Sequence, residues 1–112
     1  MAKFEGRLQG NFYKLSEEIK LGILNGSTTA TLEDESHMTF GDVKCSVFVF
    51  ERFSFAGSNR VSLNVVLCAQ GDDIRISAIT SGGSQATFFK INTLGEETFL
   101  EKLEELIRPY VK

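Results

Sequence analysis

Apolar and polar residues alternate at the start of the chain, with Ala2, Phe4 and Leu8 on one side and Lys3, Glu5 and Arg7 on the other. A period of two predicts a half-buried strand. The period then changes. In "NFYKLSEEIKLGILNG" the residues Phe12, Leu15, Ile19 and Ile23 recur at three- and four-residue spacing, the apolar stripe of an amphipathic helix. Asn11 is placed to cap its start, and Asn25-Gly26 to stop it in a left-handed turn. Gly22 lies near the stripe and costs about 1 kcal/mol against Ala, so the helix is expected to press closely on a neighbour there.

"STTATLEDESHMTF" begins as a strand and turns polar from Glu33, and "TFGDVK" carries a Gly-Asp turn. Three β-prone runs follow: "VKCSVFVFERFSF", "RVSLNVVLCAQ" and "DIRISAITS", separated by "AGSN" and "QGDD". The gaps are too short for crossover helices, so these strands are antiparallel hairpins. After a short extended piece at 86–91, the stripe Phe99, Leu103, Leu106 and Tyr110 predicts a long helix. Thr93 and Glu96 fit a capping box that opens it, and Pro109 ends it near Arg108. The order β-α-β-β-β-β-α predicts an α+β two-layer sandwich, a curved antiparallel sheet of about five strands with two helices on one face. That order resembles the TATA-binding-protein-like and helix-grip folds.

Counting across a two-residue turn at Gly71-Asp72 pairs Leu67 with Ile76 and Val65 with Ala78. Leu63, Val65, Leu67, Ala69, Ile74, Ile76 and Ala78 then face the helices. Ser62, Asn64, Val66, Cys68, Gln70, Arg75, Ser77 and Ile79 face away. In the preceding strand Val43, Cys45, Val47 and Val49 point one way, Phe48 and Phe50 the other. The register across "AGSN" stays open, because one residue of slip exchanges the two sets. Either set leaves apolar groups on the outer face, which calls for a cover. The candidates are the "QATFFKIN" segment of the chain itself, a second copy in a homodimer, or a ligand.

Composition narrows the function. A chain of 112 residues encloses one core, so 1–112 is a single domain. The net charge of -3 argues against a nucleic-acid surface, which needs clustered Lys and Arg. No apolar run approaches the roughly 20 residues of a membrane span, and "MAKFEGRLQGNF" lacks the apolar centre of an export signal. Cys45 and Cys68 sit inside apolar runs and read as reduced and buried in a cytoplasmic protein. Two distant thiols and one His give no metal-ligand spacing, and no cofactor motif is present.

Two stretches carry candidate chemistry. Ser81, Gly82, Gly83, Ser84 and Gln85 could present successive N–H groups to an anion, although no Lys follows at P-loop spacing and Gly-Gly between β-prone runs reads first as a turn. With Arg52, Asn64 and Arg75 as neighbours on the sheet, this loop is the candidate contact surface for a small anionic or amphipathic ligand. The second stretch, "LEDESH", gathers Glu33, Asp34, Glu35 and His37. Three acids in a row at the frayed end of a strand read first as a solvated edge that deters aggregation. A relay of Ser84, His37 and Asp34 has no support in the spacing, and no G-x-S-x-G elbow exists. The expected function is a non-enzymatic binding or protein-interaction module. The alternative is a small enzyme acting on a phosphate or acyl substrate with His37 and its neighbouring carboxylates.

"ILNGSTTATLEDES", "CSVFVFERFSFAGSNRVSLNVVL" and "SAITSGGSQATFFKINTLGEETFL" together resemble a family of small bacterial proteins, mostly from Gram-positive anaerobes and bacilli, that carries a domain-of-unknown-function label. The resemblance spans nearly the full chain. It implies a bacterial, cytoplasmic setting and lends no catalytic residue, cofactor or ligand.

Overall fold

The computed structural model describes residues 1–53, 60–82 and 89–112, the side chains of 89–95 excepted. Strand β1 (Ala2–Gln9) leads into helix α1 (Phe12–Asn25), followed by β2 (Thr31–Phe40), β3 (Val43–Phe53), β4 (Arg60–Gln70), β5 (Asp73–Gly82) and helix α2 (Phe89–Ile107). All five strands form one antiparallel sheet in the order β1-β5-β4-β3-β2. The β2–β3 and β4–β5 hairpins turn on Gly41-Asp42 and Gly71-Asp72, and both glycines adopt the left-handed backbone, φ 60° and 62°, that such turns require.

The expected pairing of Leu67 with Ile76 and Val65 with Ala78 is present. The register across 56–59 is also fixed: Phe48 lies opposite Val65 and Phe50 opposite Leu63. Both phenylalanines therefore point to the helices, fully buried with Leu63, Val65 and Leu67. From the other layer α1 contributes Leu15, Ile19 and Ile23, and α2 contributes Phe99, Leu103 and Ile107. Gly22 meets the expected neighbour, since a Cβ there would overlap the Leu106 side chain of α2, with Cδ1 2.7 Å away.

Four local expectations are corrected. Helix α2 begins at Phe89, so the piece expected to be extended at 86–91 is helical from Phe89 on, and residues 86–88 lie outside the described residues. Thr93 and Glu96 are consequently inside the helix. Glu96 is buried and ion-paired with the Met1 amino group at 2.7 Å rather than capping a first turn. Gly26 closes α1 in a right-handed conformation (φ -81°), its amide donating to Ile23 O at 3.2 Å. A Cβ there would collide with Lys102 Cε and Gly22 O, so close approach is what the glycine serves. The acidic run is not a frayed end. Strand β2 continues through it for ten residues, because pairing with β3 supplies what side-chain alternation does not.

Candidate functional site

Among the sequence candidates, Ser81, Asn64 and Arg75 lie on the outer face of the sheet. Ser81 Oγ and Ser62 Oγ are hydrogen-bonded at 2.7 Å, the Asn64 amide donates to Ile79 O at 3.3 Å, and Arg75 pairs with Asp73 at 3.3 Å. Gly82 ends β5 opposite Val61. Gly83, Ser84 and Gln85 lie outside the described residues, and so does any relay through Ser84. Arg52 is separated from this group. Its pairing with Val61 puts it on the helix face, where its guanidinium stacks 4.3 Å from the Phe99 ring centre, and burial lowers its pKa.

The cysteines, expected to be buried, are half-exposed and directly opposite each other on β3 and β4, unbonded. Their outward phase follows from Phe48 and Phe50 taking the inner one. Desolvation, then the hydrogen bond and charge of Cys45, push the Cys68 thiol up to about 11. Alkylation of Cys68 at mildly alkaline pH is therefore expected to be slow and to accelerate in Cys45→Ser, as peptide mass mapping against time would show.

The richest convergence of polar groups lies on the helix face, at the edge where α1 passes over β2 and β3. The pairing of β2 with β3 slips by one residue between Leu32 and Asp34, leaving Glu33 as a bulge. Without it, alternation from Leu32 would send Glu35 and His37 to the outer face. With it, Glu35 pairs with Phe48 and His37 with Ser46, both turned toward α1. His37 Nε2 lies 2.8 Å from Glu35 Oε1 and Nδ1 lies 2.7 Å from Ser46 Oγ. A carboxylate can only accept, so Nε2 carries a proton; in the neutral ring Nδ1 then accepts from the Ser46 hydroxyl. Lys20, from α1, reaches Glu35 and Glu17 at 3.4 Å each. Phe48 is the floor, with the His37 ring edge-on at 5.8 Å and the Lys20 ammonium 5.8 Å above it.

These residues line a concave space of about 300 Å³ whose walls include Phe12 and Tyr13. Lys44 stands at its mouth, 4.5 Å over the Tyr13 ring and opposite Thr39 on β2. The hydrogen bond from His37, joined by Lys20, holds Glu35 below the ordinary carboxylate pKa against desolvation. Burial opposes the charge on Lys20, but Glu17 and Glu35 outweigh it and raise its pKa. Both stay ionised through neutral pH. With its folded pKa depressed, Glu35 lends stability above the unfolded carboxylate pKa and loses it as the pH falls through the folded value. At 31 % exposure the pair is partly screened by solvent.

His37 and Glu35 stand out in the sequence, whereas Lys20, Lys44, Tyr13 and Ser46 do not. One signal was available. Ser46 shares the buried phase of β3 with Phe48 and Phe50, and a polar residue in an apolar phase needs a partner. Among the described residues no group of three or more His, Cys, Asp or Glu could hold a metal, and no helix is long and apolar enough to cross a membrane.

Compared with known proteins, the chain is similar in structure to TTHA0849 from Thermus thermophilus, with 12% sequence identity, 96% of this chain and 97% of that one covered, and a TM-score of 0.35. No curated protein matches. The model of a family of unknown function, DUF6054, matches residues 1–111, and the chain belongs to that family.

Proposed function

We propose that the chain is a binding module whose site is the cleft beneath α1, and that its ligand is a compact molecule with an apolar body and an anionic head. The observation that carries this reading is the placement of Lys44 over Tyr13 at the mouth of a 300 Å³ space floored by Phe48. Small-molecule sites combine apolar walls with a few placed polar groups in volumes from about 300 Å³ upward. Lys20 is already answered by Glu17 and Glu35. Among the described residues Lys44 has no carboxylate partner, which leaves it to pair with an anion, beside the Thr39 hydroxyl. The test uses anilinonaphthalene sulfonate, an aromatic body with an anionic head. Saturable fluorescence with one dye per chain is expected, weakened roughly tenfold by Lys44→Glu and unchanged by Asn64→Ala on the opposite face. Binding that does not saturate, or that ignores Lys44→Glu, sinks the reading.

The hydrogen-bonded series Glu35–His37–Ser46 favours a second reading, a small enzyme acting on an acyl or phosphate ester with His37 as base and Glu35 holding its tautomer. Against it stand the burial of Ser46, 2 % exposed, and its place on an interior strand whose main-chain donors serve the ladder. Turnover of p-nitrophenyl acetate that disappears in His37→Gln would support this reading, and equal rates in the two proteins would end it. A reducing, cytoplasmic setting is what the family resemblance implies.

A further inference from the structure

The outer face of the sheet is not a hydrophilic surface. Val43, Cys45, Val47 and Val49 lie on it in half-buried positions beside Val66 and Ile79, which are 36% and 39% exposed. At its margin Met38 is 65% exposed. Both helices pack on the other side, so this side has no cover among the described residues.

The strand pairings arrange the face in cross-strand rows centred on β4, the middle strand. One row reads Lys3–Ile79–Asn64–Val49–Asp34. The next reads Glu5–Ser77–Val66–Val47–Ser36, and a third Arg7–Arg75–Cys68–Cys45–Met38. The first row ends in a cation on β1 and an anion on β2, both exposed. We infer that this face binds a second copy of the chain across a two-fold axis running along β4.

The charges choose that axis. A rotation about β4 lays each row on its own reverse, so Lys3 meets Asp34 of the second copy, twice, and Ile79 meets Val49. Val66 and Cys68 then face themselves, as isologous contacts do on an axis. A rotation about the middle row instead sets Lys3 over Arg7 and Glu5 over Glu5, a like-charge arrangement. Shape agrees with the first choice. A shallow depression of about 460 Å³ lined by Glu5, Arg7, Val66, Cys68, Arg75 and Ser77 lies on the β1 side. It is where the projecting Met38 of the second copy arrives, because Met38 and Arg7 end the same row.

Size agrees as well. Five strands about 4.8 Å apart and about ten residues long at ~3.4 Å each make a face of roughly 800 Å², close to the roughly 800 Å² per partner of a standard stable interface. Aligned packing of two twisted sheets at about -30° is the usual way for such faces to meet. The intrachain contact between Lys3 and Glu5, 3.8 Å and exposed, is too weak to hold Lys3 back.

The test is native mass at micromolar concentration together with charge exchange. The wild-type mass should be that of two chains. Lys3→Glu and Asp34→Lys should each raise the dissociation constant about 100-fold or more, since each places like charges together at both ends. An equimolar mixture of the two variants should dimerise again, because Glu at 3 then meets Lys at 34 and Asp34 meets Lys3. Both side chains are exposed, so each variant should keep the wild-type fold by circular dichroism, its melting temperature falling only by what the lost association contributed. In Cys45→Ser, a short bismaleimide should link Cys68 to Cys68 of the second copy. A single-chain mass for the wild type overturns the proposal. So does dimerisation unaffected by either substitution, which would put the second copy elsewhere, such as along the open edge of β2. Failure of the mixture to recover overturns it too.

Discussion

Phe48→Ala is expected to destabilise the fold by about 3–5 kcal/mol, the range for removing a fully enclosed phenylalanine. The ring is 0% exposed and sits between Phe50, 6.2 Å away, and the α1 layer. Its loss removes apolar burial and leaves a cavity that α1 cannot fill, since Leu15 and Ile19 are held in their own contacts with the core. Against a typical stability of about 5–15 kcal/mol this is a large fraction, and the melting temperature should fall by on the order of 10 °C or more. A second effect separates Phe48 from the other core aromatics. It also floors the cleft, so the variant should lose dye binding while still folded at low temperature. Phe50→Ala, equally buried but absent from the cleft lining, should cost similar stability and spare the binding. Calorimetry and dye titration on the same two proteins check this, and equal loss of binding in both would remove Phe48 from the site.

Gly22→Val is expected to cost roughly 1–3 kcal/mol, the usual penalty for forcing extra carbons into a filled contact. The helix itself gains slightly from losing a glycine, so the cost arises between the helices. A Cβ at 22 meets Leu106 Cγ at 3.1 Å and both its Cδ atoms closer still. Those atoms end a rotatable side chain, so the single carbon of Gly22→Ala should be nearly neutral, its overlap offset by about 1 kcal/mol of helix propensity. The branched valine leaves Leu106 no such retreat. Leu106→Ala should therefore rescue Gly22→Val, with a coupling of about 0.5–3 kcal/mol in a double-mutant cycle of urea denaturation. Additive effects would mean that α1 and α2 do not touch there in solution.

What the sequence conveyed and what it did not have a common physical basis. Leu67 opposite Ile76 follows from counting across a turn of two residues, and α1 follows from Phe12, Leu15, Ile19 and Ile23. Both are local, periodic signals. Asn11 was legible for the same reason, and its side chain accepts from Lys14 N at 2.9 Å. The start of α2 was not: Thr93 and Glu96 fit a capping pattern, yet the helix already runs from Phe89 and Glu96 is buried against the Met1 amino group. The cleft was half legible. His37 and Glu35 stood out as chemistry, but their meeting with Lys20 and Ser46 depends on a register slip in an exposed strand and on where α1 crosses the sheet. Neither leaves a mark in periodicity. Arg52 shows the same limit, since its face was set by the register across 56–59, which counting alone could not fix.

The supernumerary residue at Glu33 has a consequence for how the chain tolerates changes of length. Counting back from the Gly41-Asp42 turn puts Glu35 and His37 on the helix side, and packing against the core holds Leu32 on that side too. Odd–even parity cannot satisfy both in an unbroken strand, and Glu33 takes up the remainder. The bulge is thus a slack joint between two anchored stretches. A codon lost or gained on its upstream side can be absorbed there, by straightening or widening the joint, while the cleft keeps its imidazole and carboxylate. Between His37 and the turn there is no such joint, so the same change would turn the equipment of the cleft to the other side of the sheet.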